Sequence, residues 1–201
     1  AEAEPAAADE AADGTPARKP MGVLLLLGAL GISGLLAEGA IYDWSVLWMK
    51  QVLDQPQAVA ALAYASFAAA MAVNRFAGDW LRSRIPPHTM LAGAALAAAA
   101  AMAATLVLKD PWVALLGFII VGAGLANLVP IIFMAASHVP GVPPARGIAV
   151  VSGLGYCGFV AGPPLIGMVA EATSLTGGLW VVVGALLVLV AGARWLPRWA
   201  A

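Results

Sequence analysis

The 201-residue chain is 62% hydrophobic and 10% charged, with a mean hydropathy of +0.91 and a formal net charge of −1. Soluble globular domains carry about 25% charged residues, so this composition excludes one and points to a protein that lives in a bilayer. A near-neutral balance with no basic stripe excludes a nucleic-acid surface, and the lone Cys157 excludes an internal disulfide and argues against structural zinc, so no metal or cofactor is expected.

Residues 1–20 come first and differ from everything after them. Five of the eleven acids (Glu2, Glu4, Asp9, Glu10, Asp13) crowd here among Ala and Pro, with no bulky apolar side chain to offset the entropy of ordering. A disordered cytoplasmic linker or tail is expected, followed by a membrane domain over 21–201. The segment lacks the basic start, short apolar run and cleavage site of a signal peptide.

Six apolar stretches follow, near 21–41, 57–74, 88–108, 112–137, 147–170 and 177–195. Each runs about 20 residues, which at ~1.5 Å per residue crosses a hydrocarbon layer about 30 Å thick. The first span carries Ser33, Glu38, Tyr42 and Asp43 on a ladder of Gly28, Gly31 and Gly34. The second offers Tyr64, ~10 Å below the outer face and at a depth comparable to Glu38. The third is nearly inert, with only Ala, Gly, Leu and Met over 91–104. Asn127 and Pro130 interrupt the fourth, and the fifth brings Ser152, Tyr156, Cys157, the Pro163–Pro164 pair and the glycines Gly153, Gly155, Gly158, Gly162 and Gly167. The sixth is again inert. Glycine ladders let backbones approach closely, and prolines in mid-membrane remove donors, so bends or breaks are expected at Pro130, Pro163 and Pro164, either as packing features or as hinges.

Sidedness follows from the basic residues. Arg18, Lys19, Arg75, Arg82, Arg84, Arg146, Arg194 and Arg198 fall at connections on one side, against Lys50 and Lys109 opposite, and the richer side is assigned to the cytoplasm. Tryptophans mark both interfaces, Trp44, Trp48, Trp112 and Trp180 outside and Trp80, Trp195 and Trp199 inside. Polar spans (first, second, fourth, fifth) should enclose a cavity, while the inert third and sixth face lipid. The order polar, mixed, inert recurs across 21–108 and 112–195. With three crossings per unit the second repeat runs inverted, giving an all-α membrane protein of six transmembrane helices as two inverted three-helix repeats.

The inner turn Asn74-Arg-Phe-Ala-Gly-Asp-Trp-Leu-Arg-Ser-Arg84 resembles the cytoplasmic signature of the major facilitator superfamily, Gly-x-x-x-Asp-Arg/Lys-x-Gly-Arg-Arg/Lys. Asp79 matches its acid and Arg84 its last base, while Arg75, Trp80, Arg82 and Ser83 depart from it. The stretches 122–130 and 152–167 are similar to the family's tenth and eleventh helices, and 38–45 to the seventh helix of a branch near sugar permeases and efflux proteins. The resemblance implies the C-terminal six-helix half of a major facilitator fold in the bacterial inner membrane, with both termini cytoplasmic and an N-terminal half as partner. It also implies secondary transport of a small solute by alternating access. Asp79 would then meet the amide-rich start of the fifth span at Gly147, after Arg146, a charge–dipole contact of about 0.3–1 kcal/mol that holds an inner gate shut; alternatively Arg82 or Arg84 neutralises it.

Glu38 is the principal candidate for function. Insertion of an acid at a helix centre costs about 2.5–3.5 kcal/mol, and binding a proton removes the charge, which is the chemistry that proton-coupled transport needs. Placed ~25 Å above the inner edge, it either couples protons, binds solute, or merely reaches water or a neighbour such as Tyr42. Asp43 is a weaker candidate near the outer interface. Tyr64, Asn127 and Tyr156 are candidate pocket residues, or groups that satisfy neighbouring helices. Two other classes compete. Gly31-Ile-Ser-Gly34 matches the nucleophile motif of intramembrane serine proteases, but His88 and His138 lie at inner helix ends, ~18 Å from the level of Ser33. A non-catalytic subunit or channel-like homo-oligomer would need rings of polar residues, which only the first span approaches.

Overall fold

The computed structural model describes residues 20–196, all of it helix and short connections. Expectations for residues 1–19 and 197–201, including Arg18, Lys19, Arg198 and Trp199, lie outside the described residues. The helices are α1 (Pro20–Gln51), α2 (Gln57–Phe76), the short α3 (Gly78–Arg82), α4 (Pro87–Leu108), α5 (Pro111–Leu125), α6 (Leu128–Ser137), α7 (Pro144–Ala172) and α8 (Leu175–Ala193). With α5 and α6 counted as one span, six are long and apolar enough to cross a membrane.

Local chemistry explains where these helices start. Pro87, Pro111 and Pro144 open α4, α5 and α7, where a missing N–H costs nothing. The Asp110 carboxylate accepts the N–H groups of Trp112 and Val113 at 2.9 and 3.0 Å, and Ser174 caps α8 by accepting from Gly177 at 3.0 Å.

Glycines set the packing. A Cβ on Gly158 would overlap the Ile32 carbonyl, and one on Gly31 would lie 3.5 Å from the Gly155 Cα, so α1 and α7 meet nearly backbone to backbone. Contacts at Gly28–Leu154, Ile32–Gly158 and Leu36–Gly162 rise together along both helices, which makes α1 and α7 parallel. Helices α2 and α5 are parallel too, with Gly122 against the Phe67 carbonyl. Each first helix therefore packs on the second helix of the other repeat, and the third helices, α4 and α8, pack on each other. The two repeats are inverted copies of one arrangement.

Three expectations need correction. Helix α1 continues ten residues beyond 41, so Tyr42, Asp43, Trp44 and Trp48 are helical, and Glu38 is the 19th of its 32 residues. That places Glu38 near the middle of the helix, ~27 Å from one end and ~20 Å from the other. Trp48 is fully buried and donates to the Thr176 hydroxyl at 3.0 Å, so it ties α1 to α8 instead of resting at an interface. The break expected from Pro130 is present at Ala126–Asn127, as its missing N–H leaves the Ala126 carbonyl without its partner, but no break follows from the other prolines, since α7 runs uninterrupted through Pro163 and Pro164. The inert helices do turn apolar side chains outward. Leu96 and Val188 face outward, but the largest exposed apolar face lies on α2 and α7, with Val73, Phe76, Val160 and Met168 each more than two-thirds open.

Candidate functional site

A cavity of about 380 Å³ opens between α1, α2, α6 and α7, the four spans that carry the polar groups. Its polar lining is Glu38, Arg75 and Tyr156, and its apolar walls are Leu35, Val129, Pro130, Phe133 and Phe159. Pockets for small ligands occupy about 300–1,000 Å³ and combine such apolar walls with a few convergent polar groups.

The charge at the centre is paired. Arg75, in the last turn of α2, reaches back so that its Nη2 donates to Glu38 Oε1 at 3.4 Å. The contact is long and one-sided, since the Glu38 side chain is 11% exposed and that of Arg75 49%. One bond uses one of the five guanidinium donors, and Arg75 makes no other hydrogen bond among the described residues. Tyr42, one turn along α1 from Glu38, does not bond it. Its hydroxyl donates to Met71 Sδ at 3.7 Å, and its ring packs on Phe67 and Tyr64 with centroids 5.1 and 5.2 Å away.

Of the residues singled out from sequence, the cavity gathers Glu38, Tyr156 and Pro130. Tyr64 is half exposed and joins only through the aromatic cluster, and Asp43 is exposed farther along α1. Asn127 lines a separate cavity of about 320 Å³, together with Leu81, Ile85, Thr89 and Ile131. It is 4% exposed at the break between α5 and α6, accepts from Arg82 Nη1 at 2.9 Å, and donates to the Asn74 carbonyl at 3.3 Å. Gly78 packs so tightly on its side-chain oxygen that no Cβ would fit. Asn127 thus fastens the turn after α2 to the helix break. Asp79 pairs with Arg82, and its side chain is 94% exposed, so it makes no contact with the start of α7. Arg84 lies over the Trp80 ring at 4.3 Å, and Arg146 is exposed in the first turn of α7. Ser33, the protease-like serine, donates to the Ala29 carbonyl of its own helix at 3.0 Å.

Sequence reasoning missed Arg75 as a site residue. It had been absorbed into the count of basic residues that set topology. The signal was nevertheless there, because a carboxylate inside a span requires a partner and Arg75 is the base nearest the end of the adjacent span.

Known proteins agree with the architecture. The chain is 32% identical over 179 residues to an uncharacterized MFS-type transporter of Yersinia pestis, covering 89% of this chain and 47% of that protein. It is 36% identical over 175 residues to the membrane protein MosC of Rhizobium meliloti, covering 87% and 43%. The chain belongs to the major facilitator superfamily. A shorter alignment, 35% over 98 residues, links it to a putative tartrate transporter of Agrobacterium vitis, covering 48% of this chain and 22% of that protein. No family model matches. The chain spans under half the length of these relatives.

Proposed function

We propose that this chain forms the C-terminal six-helix half of a secondary transporter that moves a small solute by alternating access, with Glu38 as its proton-coupling carboxylate. The observation that carries the reading is the Glu38–Arg75 pair inside a cavity walled by α1, α2, α6 and α7. A membrane-buried ion pair that serves only packing costs more to desolvate than well-packed apolar residues, so its presence beside open space favours a functional role. The exposed apolar face on α2 and α7 adjoins this cavity, and an N-terminal six-helix half is the partner that would cover it. The excess of arginine at one end supports a bacterial inner-membrane orientation with both termini cytoplasmic. Asp79, exposed at that same end beside Arg82, is available for a gate contact with the partner half.

The test is proton flux in proteoliposomes that hold the complete transporter and a trapped pH-sensitive dye. Sugars, polyols and organic acids are added in turn. A solute that triggers flux in the wild type should trigger none in Glu38→Gln, while its exchange across the membrane persists. Unchanged flux in the variant would remove Glu38 from coupling.

A further inference from the structure

The charge balance of the cavity narrows the class of solute. Resting on the transport reading above, we propose that the solute is an organic monoanion, whose carboxylate takes the guanidinium of Arg75 in place of Glu38 while Glu38 takes up one proton.

The argument begins from what each group can and cannot do. Arg75 stays charged at any accessible pH, whereas Glu38 can be neutralised by a proton from the aqueous side. With no solute, the pair sums to zero. A monocarboxylate that arrives with one proton on Glu38 leaves one anion on one guanidinium and again sums to zero. A cationic solute would leave a net positive charge, since Arg75 cannot release its proton, and a dianion or phosphate ester would leave a net negative one. Unbalanced charge in a low-dielectric site is what membrane interiors tolerate least.

Geometry points the same way. Arg75 is the more exposed partner, and its bond to Glu38 is long, so an incoming carboxylate meets unspent donors first and can form the bidentate contact that Glu38 does not. The remaining walls suit the rest of such a molecule. Phe133 and Phe159 with Leu35 and Val129 favour an apolar or aromatic body, and Tyr156 adds one hydroxyl able to bond a polar substituent. An aromatic or branched hydroxy acid fits this set better than a polyol, which would leave most of its hydroxyls facing hydrocarbon.

Binding can be read without transport. The purified complete transporter is melted in detergent with sodium benzoate, mandelate or lactate as monocarboxylates, tartrate as a dicarboxylate, inositol as a neutral polyol and choline as a cation. The expected result is stabilisation by the monocarboxylates, largest for mandelate, that fades as pH rises because Glu38 must hold a proton. Glu38→Gln should keep the stabilisation and lose its pH dependence. Arg75→Gln should require at least about tenfold more mandelate for the same shift. If Arg75→Gln does not fold, the charge-neutral double variant Glu38→Gln/Arg75→Gln must show the same loss. Stabilisation by tartrate, inositol or choline in place of the monocarboxylates, stabilisation by none of them, or an undiminished response without Arg75 overturns the proposal. Mandelate binding with no proton flux would sink the coupling reading and leave the solute class standing; flux driven by inositol would do the reverse.

Discussion

Two arginines, Arg75 in the last turn of α2 and Arg82 in the short α3 that follows, reach buried polar groups, yet they end in opposite situations. Arg82 meets Asn127 at 2.9 Å, where the amide also donates to the Asn74 carbonyl and Gly78 closes over it. Arg75 meets Glu38 at 3.4 Å through a single nitrogen, with a cavity beside it. The first junction uses both ends of its amide, which is how a fold secures a helix break, and it borders a cavity of its own with mostly apolar walls. The second leaves donors unspent in open space, which is how a site waits for a ligand.

The contrast is broken most forcefully at the fully bonded junction. Asn127→Leu removes the acceptor of a charged donor and strands the Asn74 carbonyl, so denaturant unfolding in mixed micelles should show a loss of about 3 kcal/mol. An effect below about 1 kcal/mol would mean that the junction does not hold the break. The α1–α7 seam, which forms one wall of the cavity, sharpens the picture next. Gly158→Ala would force a methyl into the Ile32 backbone and should cost about 2 kcal/mol, while Gly153→Ala on the same helix, with open space beside it, should be near neutral. Equal effects at both positions would disprove this packing. The smallest change is expected at the open junction. Glu38→Gln keeps an acceptor for a half-exposed Arg75, so its stability should move by less than about 1 kcal/mol even as proton coupling disappears.

Much of this arrangement could be read from the residues. Apolar run lengths and the uneven spread of polar side chains led to six spans and to the four that wall the cavity, because desolvation cost is local and each span reports it independently. What escaped were relations between spans. Arg75 and Glu38 are 37 positions apart, and an arginine next to a loop satisfies the topology argument so fully that a second role leaves no trace. The stretch Tyr42-Asp43-Trp44-Ser45 looks like an interfacial end, but tertiary contact overrides that appearance, as Trp48 must stay helical to reach Thr176 on α8. Asn127 fills both places open to a buried amide in a span: it borders a cavity, as its residue type suggests, and it fastens a helix break, which only the position of Arg82 reveals.

The most direct test of the account is a double-mutant cycle on Glu38 and Arg75, read as unfolding free energy of the complete transporter in mixed micelles. If the two side chains form one neutral unit, Arg75→Gln alone should be the most damaging, because it strands the more buried charge, and Glu38→Gln/Arg75→Gln should recover part of that loss, giving a coupling of about 1 kcal/mol. Strictly additive single effects, with no coupling between the positions, would contradict the pair on which the cavity's chemistry depends.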